Sequence, residues 1–423
     1  MMQFSEYIIL DRSPQAMDPL GFRHPGSALQ DLLFPQFTVL TLSPAYLSAL
    51  CCFLQYLERN PPSADRSLAR EVRTLELLWG VANASVNGRV ININKFQDLC
   101  GASLRLRSIP PNHPLYRRLS YGTLGHYSSA AVRWELVNKS GRRLLPAGER
   151  LAQGFAQRQA GKQSFLDHLT GWKGNLEYSP ADMLRLGSIF GIDAPASTVE
   201  RAVWREQIDL WCRRHPQTAA LWEQPLNHRY LPSAATDGES YREVFPRLRE
   251  HYREMDRQLM AIQQFERLGA ATQFVFDLHW AGLTYKKELA DARPRLADEF
   301  AVALGKLAAT YIEVKPYARD TGKLFSSLAV GTASYQALRA KVIDHHKEHQ
   351  RSKGASPILD HDDLILRGGV EHDEVRDALH DVEDADDVEN MMDKLQFRYR
   401  RQWHFEKCRR WHDWTSGRQD AAS

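Results

Sequence analysis

The chain has 423 residues, which is too many for one small hydrophobic core and indicates two or three domains. Its hydrophobic content of 43% and charged content of 25% are ordinary for a soluble globular protein. The net charge of +3 excludes a basic field over the whole molecule, so any binding of nucleic acid must come from a local cluster of cations.

Cysteine use and hydropathy both indicate a cytoplasmic protein without a membrane segment. The 5 cysteines are odd in number and none forms a Cys-x-x-Cys pair, which favours reduced thiols over a disulfide framework or a cysteine-rich zinc site. The most apolar run, Tyr46–Leu57, is shorter than the roughly 20 residues that a helix needs to span a bilayer. The first residues lack a basic segment followed by an apolar one, so the sequence predicts no signal peptide.

Turn residues and helix caps predict the first elements. Proline and glycine breaks mark residues 1–42 as irregular, with one short helix at Ser27–Leu33. The next helix begins at Ser43, because serine is a good N-cap and Pro44 suits the first helical position. A helix over Asp65–Ala84, a short strand over Ile91–Ile93 and a short helix over Asn94–Leu99 follow.

The most informative stretch is Tyr121–Phe155. It predicts a helix over His126–Asn138, a turn at Lys139-Ser140-Gly141, a strand over Arg142–Leu145 and a second helix from about Glu149. A winged-helix domain passes in this order from its recognition helix, through a one-hairpin wing, into its last helix. With helices 65–84 and 94–99 completing the core, the sequence predicts a winged-helix-like domain over residues 1–160.

The chain from residue 161 to residue 352 is predicted to be a helical domain. Pro246 indicates that the helix predicted at Gly238–Leu268 begins near this residue or kinks at it. Pro316 should end the helix that begins at Arg293. The predicted helices are Ser164–Trp172, Ser179–Phe190, Ser197–Arg214, Gly238–Leu268, Ala271–Leu283, Arg293–Val314 and Ser334–Glu348.

The last segment, residues 353–423, is bipolar in charge. Residues 360–393 contain 14 acidic and 2 basic residues, whereas residues 394–418 contain 8 basic and 2 acidic residues interleaved with aromatics. An acidic run of this kind is usually a solvated face. The predicted fold class is therefore mainly α, with an N-terminal winged-helix-like domain followed by a helical domain and a charged C-terminal tail.

Two groups of cations are the candidate nucleic-acid-binding residues. The first lies on or before the predicted recognition helix and wing and comprises Arg117, Arg118, Arg133, Lys139, Arg142 and Arg143. The second lies in the tail and comprises Arg398, Arg400, Arg401, Arg409 and Arg410. A helix and a hairpin can together meet a groove and its phosphates, and guanidinium groups beside aromatic rings suit phosphates and unpaired bases.

Each group has an alternative interpretation. A winged-helix unit can dock a protein instead of DNA. The tail can form an amphipathic helix packed on the body, since several apolar side chains fall on one face and arginine heads can extend outward from it. These side chains are Leu395, Tyr399, Trp403, Trp411 and Trp414.

Catalytic and metal-binding patterns are weaker. Arg367 and His372 resemble the Arg-x4-His pattern of HEPN ribonucleases, in which both side chains act on the scissile phosphate, although Gly368 replaces the expected polar residue. The carboxylates and histidines between Asp360 and Asp381 could hold a divalent ion, but no nuclease framework accompanies them. His345, His346 and His349 are interpreted as a solvated helix end. With no nucleotide-binding or hydrolase motif present, the sequence predicts a non-enzyme without cofactor or metal.

Two stretches resemble uncharacterised bacterial proteins of antiviral defence islands. The first runs from Leu29 to Pro35, with Thr38, Thr41 and Tyr46 after it; the second includes Tyr127, Leu136-Val137, Leu144 to Gly148 and Leu151-Ala152. Gln36 replaces a glycine of the family pattern, and Ser43-Pro44-Ala45 replaces the region of an arginine. The resemblance covers about the first 160 residues. It implies a non-catalytic subunit with helicases and nucleases as neighbours.

The leading hypothesis is a non-catalytic, DNA-associated subunit of a bacterial multi-protein complex for anti-phage or anti-plasmid defence. It would bind nucleic acid, DNA rather than RNA, and other protein subunits such as a helicase, an ATPase or a nuclease. Two alternatives stay open. One is a metal-independent ribonuclease that uses Arg367 and His372, and the other is a scaffold that only docks proteins.

Overall fold

The computed structural model shows a mainly helical chain with a few short strands, as the sequence predicts. The structure describes residues 18–37, 43–61, 67–88, 94–97, 99–105, 123–140, 142–158, 177–216, 219, 246, 248–250, 252–285, 294–314, 321–354, 357, 359–360, 364–365, 372–398, 408 and 411–415. The predicted strand at 91–93 and the predicted helix at 164–172 lie outside these residues.

The helices, in chain order, are α1 (Arg23–Leu33), α2 (Pro44–Arg59), α3 (Leu68–Ser85), α4 (Asn94–Gln97), α5 (Thr123–Arg133), α6 (Pro146–Ala156), α7 (Pro180–Phe190), α8 (Thr198–Arg214), α9 (Asp256–Tyr285), α10 (Pro294–Val314), α11 (Thr321–Ala329), α12 (Tyr335–Ser352), α13 (His372–Glu383) and α14 (Val388–Arg398). Two antiparallel pairs of strands join β1 (Leu104–Arg105) to β2 (Glu177–Tyr178) and β3 (Leu359–Asp360) to β4 (Leu364–Ile365). Within the described ranges, none of the helices has the length and apolar composition that crossing a bilayer requires.

Two compact units divide the chain, and each combines segments that are far apart in sequence. The hairpin unit comprises residues 34–229 and 403–423, and the long-helix unit comprises residues 1–33 and 230–402. The sequence predicts a different division, into consecutive segments at 1–160, 161–352 and 353–423. Composition cannot show that α1 folds with the later helices, because that association depends on which apolar faces fit each other.

The core of the hairpin unit is helical and closely packed. Helix α2 packs against α3 and α6, α3 packs against α7, and α6 packs against α8. The apolar run in α2 is buried along almost the whole helix, so it is a core element of the unit. Two buried hydrogen bonds join α3 to the end of α7: Trp79 Nε1 donates to the Phe190 carbonyl at 2.7 Å, and the Ile192 amide donates to Asn83 Oδ1 at 2.7 Å.

Serine caps set the helix starts that the sequence predicts. Ser43 caps α2 and accepts a hydrogen bond from the Ala45 amide at 3.2 Å. Ser179 and Ser197 cap α7 and α8 in reciprocal capping boxes with Asp182 and Glu200. The helices predicted at 179–190 and 197–214 are therefore confirmed to within one residue.

Helix α9 corrects the prediction of separate helices at Gly238–Leu268 and Ala271–Leu283. It runs without a break from Asp256 to Tyr285, after a 3-10 turn at Arg253–Met255. Gly269, which lies between the two predicted helices, is buried inside the continuous helix. A single glycine weakens a helix by only about 1 kcal/mol, and packing overrides that cost here.

The histidines of α12 also differ from their predicted environment. They face the turn at Asp18–Gly21, and His346 is fully buried beside the Phe276 ring, at 4.8 Å between ring centroids. His345 Nε2 lies 3.1 Å from the Leu20 carbonyl oxygen. The interpretation of these residues as a solvated helix end is therefore wrong, because the turn at Asp18–Gly21 packs against them.

The acidic segment forms helices that the sequence analysis does not predict. Apolar positions of α13 and α14 are buried, and both helices pack against α9. Arg267 on α9 donates to Glu389 of α14 at 2.5 Å and lies 3.8 Å from Asp393. The acidic charge is therefore partly matched by a cation on the packing partner, and the other face of each helix carries the solvated carboxylates.

Candidate nucleic-acid interface

The helix that leads into the hairpin ends earlier than predicted. Helix α5 stops at Arg133, and the Glu135 and Leu136 amides donate back to the Val132 and Ala131 carbonyls at 3.0 and 2.9 Å. This is a Schellman ending with Glu135 in the left-handed position, at φ 54°. Glycine usually fills that position and a side chain there costs about 1 kcal/mol, so the sequence carries no glycine signal for this helix end.

A short hairpin follows, where the sequence predicts a wing. Val137 pairs with Leu144 in a single antiparallel bridge, and the Leu145 amide donates to the Leu136 carbonyl at 2.9 Å. The strand predicted at 142–145 is thus reduced to one bridge at Leu144, on the second side of a short hairpin. The order helix, hairpin, helix is confirmed.

Asn138 fixes the turn of the hairpin. Its Oδ1 accepts hydrogen bonds from Ser140 Oγ at 2.8 Å and from the Arg142 and Arg143 amides at 3.2 and 3.3 Å. Its own amide donates to the Arg143 carbonyl at 2.9 Å. An asparagine that caps a turn in this way restricts the backbone, so the neighbouring side chains are presented from a defined position.

Three cationic side chains project from this turn. Lys139, Arg142 and Arg143 are exposed, and none of them has an ion-pair partner in the part of the chain that the structure describes. The side chains predicted to face inward, Ala130, Trp134 and Val137, are buried. The hairpin therefore carries its positive charge on the solvent side of a packed base.

The start of α6 packs directly against the hairpin. The helix begins at Pro146, earlier than the predicted Glu149, because proline occupies the first helical position. Gly148 lies so close to the hairpin that an added Cβ would stand 2.1 Å from the Leu136 carbonyl oxygen. Only glycine allows this approach, and the sequence Leu-Pro-Ala-Gly thus fixes the hairpin on α6.

Gly148→Ala should displace the hairpin from α6 and destabilise the hairpin unit by about 1–3 kcal/mol, the usual cost of overpacking. Hydrogen exchange of the 136–145 amides and the urea midpoint would both report the change. Glu149→Ala, at the exposed next position, is the control and should leave the exchange of these amides unchanged. Unaltered exchange in Gly148→Ala would contradict the close approach.

Arg133 makes contacts that the sequence cannot show. Its Nη1 donates to the Pro35 and Phe37 carbonyls at 2.6 and 2.7 Å, so the side chain joins the end of α5 to residues 34–37. At least two of its five N–H donors are then engaged within the protein. Its predicted contact with phosphate stays a prediction.

Several candidate residues lie outside the described part of the chain. This holds for Arg117, Arg118, Arg400, Arg401, Arg409, Arg410 and Arg367, and for the side chains of Arg398 and His372. Nothing in the structure tests their predicted roles.

The tail aromatics that are described pack inside the hairpin unit. Trp411 and Trp414 are 0% and 2% exposed. The Trp411 ring stacks on Trp134 at 5.1 Å between centroids and meets Trp204 edge-on at 4.8 Å. These two indoles cannot stack on nucleic-acid bases in this conformation, which favours the docked alternative for this part of the tail.

No protein-family model, curated protein or solved structure matches this chain. The resemblance to defence-island proteins thus has no further support. Among the described residues, no group of three or more His, Cys, Asp or Glu side chains is placed to hold a metal ion. The turn between Asn138 and Arg143 is thus the strongest candidate site that the geometry provides.

Sequence reasoning did not give the structural roles of three residues of this site. Asn138 could have been found, because an asparagine before Lys-Ser-Gly is a turn signal. Glu135 and Gly148 could not, since their importance lies in a left-handed backbone and a close approach that only coordinates reveal.

Proposed function

We propose that this chain is a non-catalytic, DNA-associated subunit whose hairpin contacts phosphates. The observation that carries the proposal is the group of three exposed cations on a turn fixed by Asn138, without acidic partners among the residues described. A surface that serves only solubility usually mixes both signs of charge. A cluster of one sign on an ordered hairpin favours a polyanion.

The surroundings of the hairpin support a winged-helix-like arrangement. Helix α3 packs against α4 and α5, and the hairpin follows α5 directly. In such an arrangement α5 would approach the groove while Lys139, Arg142 and Arg143 contact the adjacent backbone. Duplex DNA is the proposed ligand, because a helix and wing together match the spacing of a groove and its edge.

The wider role belongs to the same proposal. The resemblance of the first 160 residues suggests a bacterial defence complex in which a helicase, an ATPase or a nuclease performs the chemistry. This chain would position DNA for such a partner. Isolation of the complex from its natural host, with mass spectrometry of its subunits, tests this assignment.

Lys139→Ala/Arg142→Ala/Arg143→Ala should weaken binding to short duplexes by a similar factor for all base sequences. The slope of log K against log salt should become shallower by about 2.7, because each phosphate contact contributes about 0.9. Fluorescence anisotropy with labelled duplexes over a salt series measures both quantities.

A matched control removes equal charge elsewhere in the hairpin unit. Arg59, Arg70 and Arg185 are exposed on α2, α3 and α7, and their triple alanine variant should bind as the wild type does at moderate salt. Wild-type affinity and slope in the hairpin variant would disprove the proposed function. An equal loss in both variants would show only nonspecific attraction to net charge.

A further inference from the structure

The last turn of α8 lies beside the base of the hairpin. Arg214, the final residue of α8, forms an ion pair with Glu135. Glu135 directly precedes Leu136, whose carbonyl accepts the hydrogen bond that closes the hairpin. Two elements that are distant in sequence therefore bring cations to one place.

The distances suit a single run of phosphates. Asn138 follows Glu135 by three positions, and an extended chain of that length spans at most about 10 Å. Successive phosphates of one DNA strand rise by about 3.4 Å along the helix axis. The Glu135 Cα therefore lies within about 10 Å of the Asn138 Cα, which is no more than the rise of about three phosphates along one strand.

The charges around Glu135 are unbalanced. Arg213 is exposed and, among the described residues, has no acidic partner. Arg214 pairs with the Glu135 carboxylate. With Lys139, Arg142 and Arg143, these arginines make five exposed cations on the hairpin and the last turn of α8. The dipole of α8 accounts for cations in its last turn, but it does not account for a carboxylate at the base of a cationic hairpin.

We propose that Arg213 and Arg214 form a second contact with the DNA that the hairpin binds, and that Glu135 weakens this contact. The inference rests on the proposed function of the hairpin. The Glu135 carboxylate holds the Arg214 guanidinium and repels approaching phosphates. DNA binding thus requires Arg214 to exchange the carboxylate for a phosphate.

Glu135→Gln distinguishes this interface from a purely structural ion pair. It removes the negative charge with nearly the same side-chain shape, so binding to a labelled duplex should become severalfold tighter and the salt slope steeper. Arg213→Ala/Arg214→Ala should make the slope shallower by about 1.8, which corresponds to two lost contacts. Arg185→Ala, on α7, is the single-charge control and should leave the slope unchanged.

Glu135→Gly is a second variant, and its backbone conformation should not oppose folding. Glycine suits the left-handed conformation at φ 54°, so this variant also lacks the carboxylate while relieving backbone strain. Both Glu135 variants should bind more tightly than the wild type. The gain from Glu135→Gln should shrink when Arg214 is alanine, because there is then no held guanidinium to release.

The outcomes separate this inference from the proposed function. If the hairpin variant loses binding while the Arg213/Arg214 and Glu135 variants bind as the wild type does, the second contact is wrong and the hairpin contact stands. If the hairpin variant binds normally, the proposed function fails and this inference fails with it. Weaker binding by both Glu135 variants would show that the ion pair supports the interface instead of restraining it.

Discussion

Glu200→Gln should destabilise the hairpin unit by about 3–5 kcal/mol, because it would leave the charge of Arg158 buried without compensation. The two side chains are 1% and 0% exposed. Arg158 Nε and Nη2 donate to the two carboxylate oxygens of Glu200 at 2.8 and 2.9 Å, and Nη1 donates to the Gly191 carbonyl at 3.0 Å. The pair therefore joins the end of α6, the connection after α7 and the start of α8.

Glu200 also acts as a helix cap, which adds to the expected loss. Its Oε2 accepts a hydrogen bond from the Ser197 amide at 3.0 Å, and the Arg158 guanidinium lies over the Phe155 ring at 4.6 Å. Hydrogen exchange of α6 and α8, together with urea denaturation, would measure the effect within this unit. Exchange should accelerate in both helices.

A matched control comes from the same helix. Arg150 Nη1 on α6 lies 2.6 Å from Glu206 Oε2 on α8, and both side chains are exposed. Because exposed ion pairs contribute little, Glu206→Gln should change stability little. Arg158→Leu/Glu200→Leu removes both charges and should be less destabilising than the single Glu200→Gln substitution. Equal effects of Glu200→Gln and Glu206→Gln would contradict the importance of the buried pair.

Local patterns predicted the elements better than they predicted the assembly. Ser43, Ser179 and Ser197 each predict a helix start, because serine is a preferred N-cap residue. All three serines cap their helices in the structure. The division into two units depends instead on contacts between distant segments. Nothing near Trp411 in the sequence shows that its ring fills a space between Trp134 and Trp204.

The candidate site shows the same limit. The turn residues around Lys139 and Arg142 predicted an exposed cationic hairpin, because polar residues beside glycine form turns. The contacts of Arg133 with residues 34–37 were not predictable, since an arginine near a helix end looks the same whether it meets solvent, phosphate or a carbonyl oxygen. The buried ion pair of Arg158 with Glu200 was not predictable either, because the sequence does not show which charged side chains are buried together.

Acid should loosen the long-helix unit through His346. Burial lowers the pKa of His346 from 6.5 to about 4, although its Nδ1–H donates to the Pro19 carbonyl oxygen 2.8 Å away. The unfolded chain takes up a proton near pH 6.5 that the folded chain does not accept until about pH 4. Stability is thus fully present above about pH 6.5 and falls by up to about 3 kcal/mol toward pH 4.

Two further histidines beside His346, His345 and His349, also have lowered pKa values. Burial also lowers the pKa of His345 and of His349, while Asp18 and Glu348 oppose the shift and the Lys323 and Lys353 cations reinforce it. All three imidazoles face the Asp18–Gly21 turn or its carbonyls. Protonation should therefore release the Asp18–Gly21 turn from α12 before it affects the rest of the unit.

His346→Asn tests the origin of this acid sensitivity. Asparagine can donate to the Pro19 carbonyl but cannot titrate, so the difference in unfolding free energy between about pH 7.5 and about pH 5 should shrink in this variant. Gln350→Ala is the matched control, because Gln350 Nε2 donates to the same carbonyl at 3.4 Å without titrating. It should lower stability equally at both pH values. An unchanged pH dependence in His346→Asn would contradict this origin and assign the acid sensitivity to other titrating groups, such as His345, His349 or carboxylates.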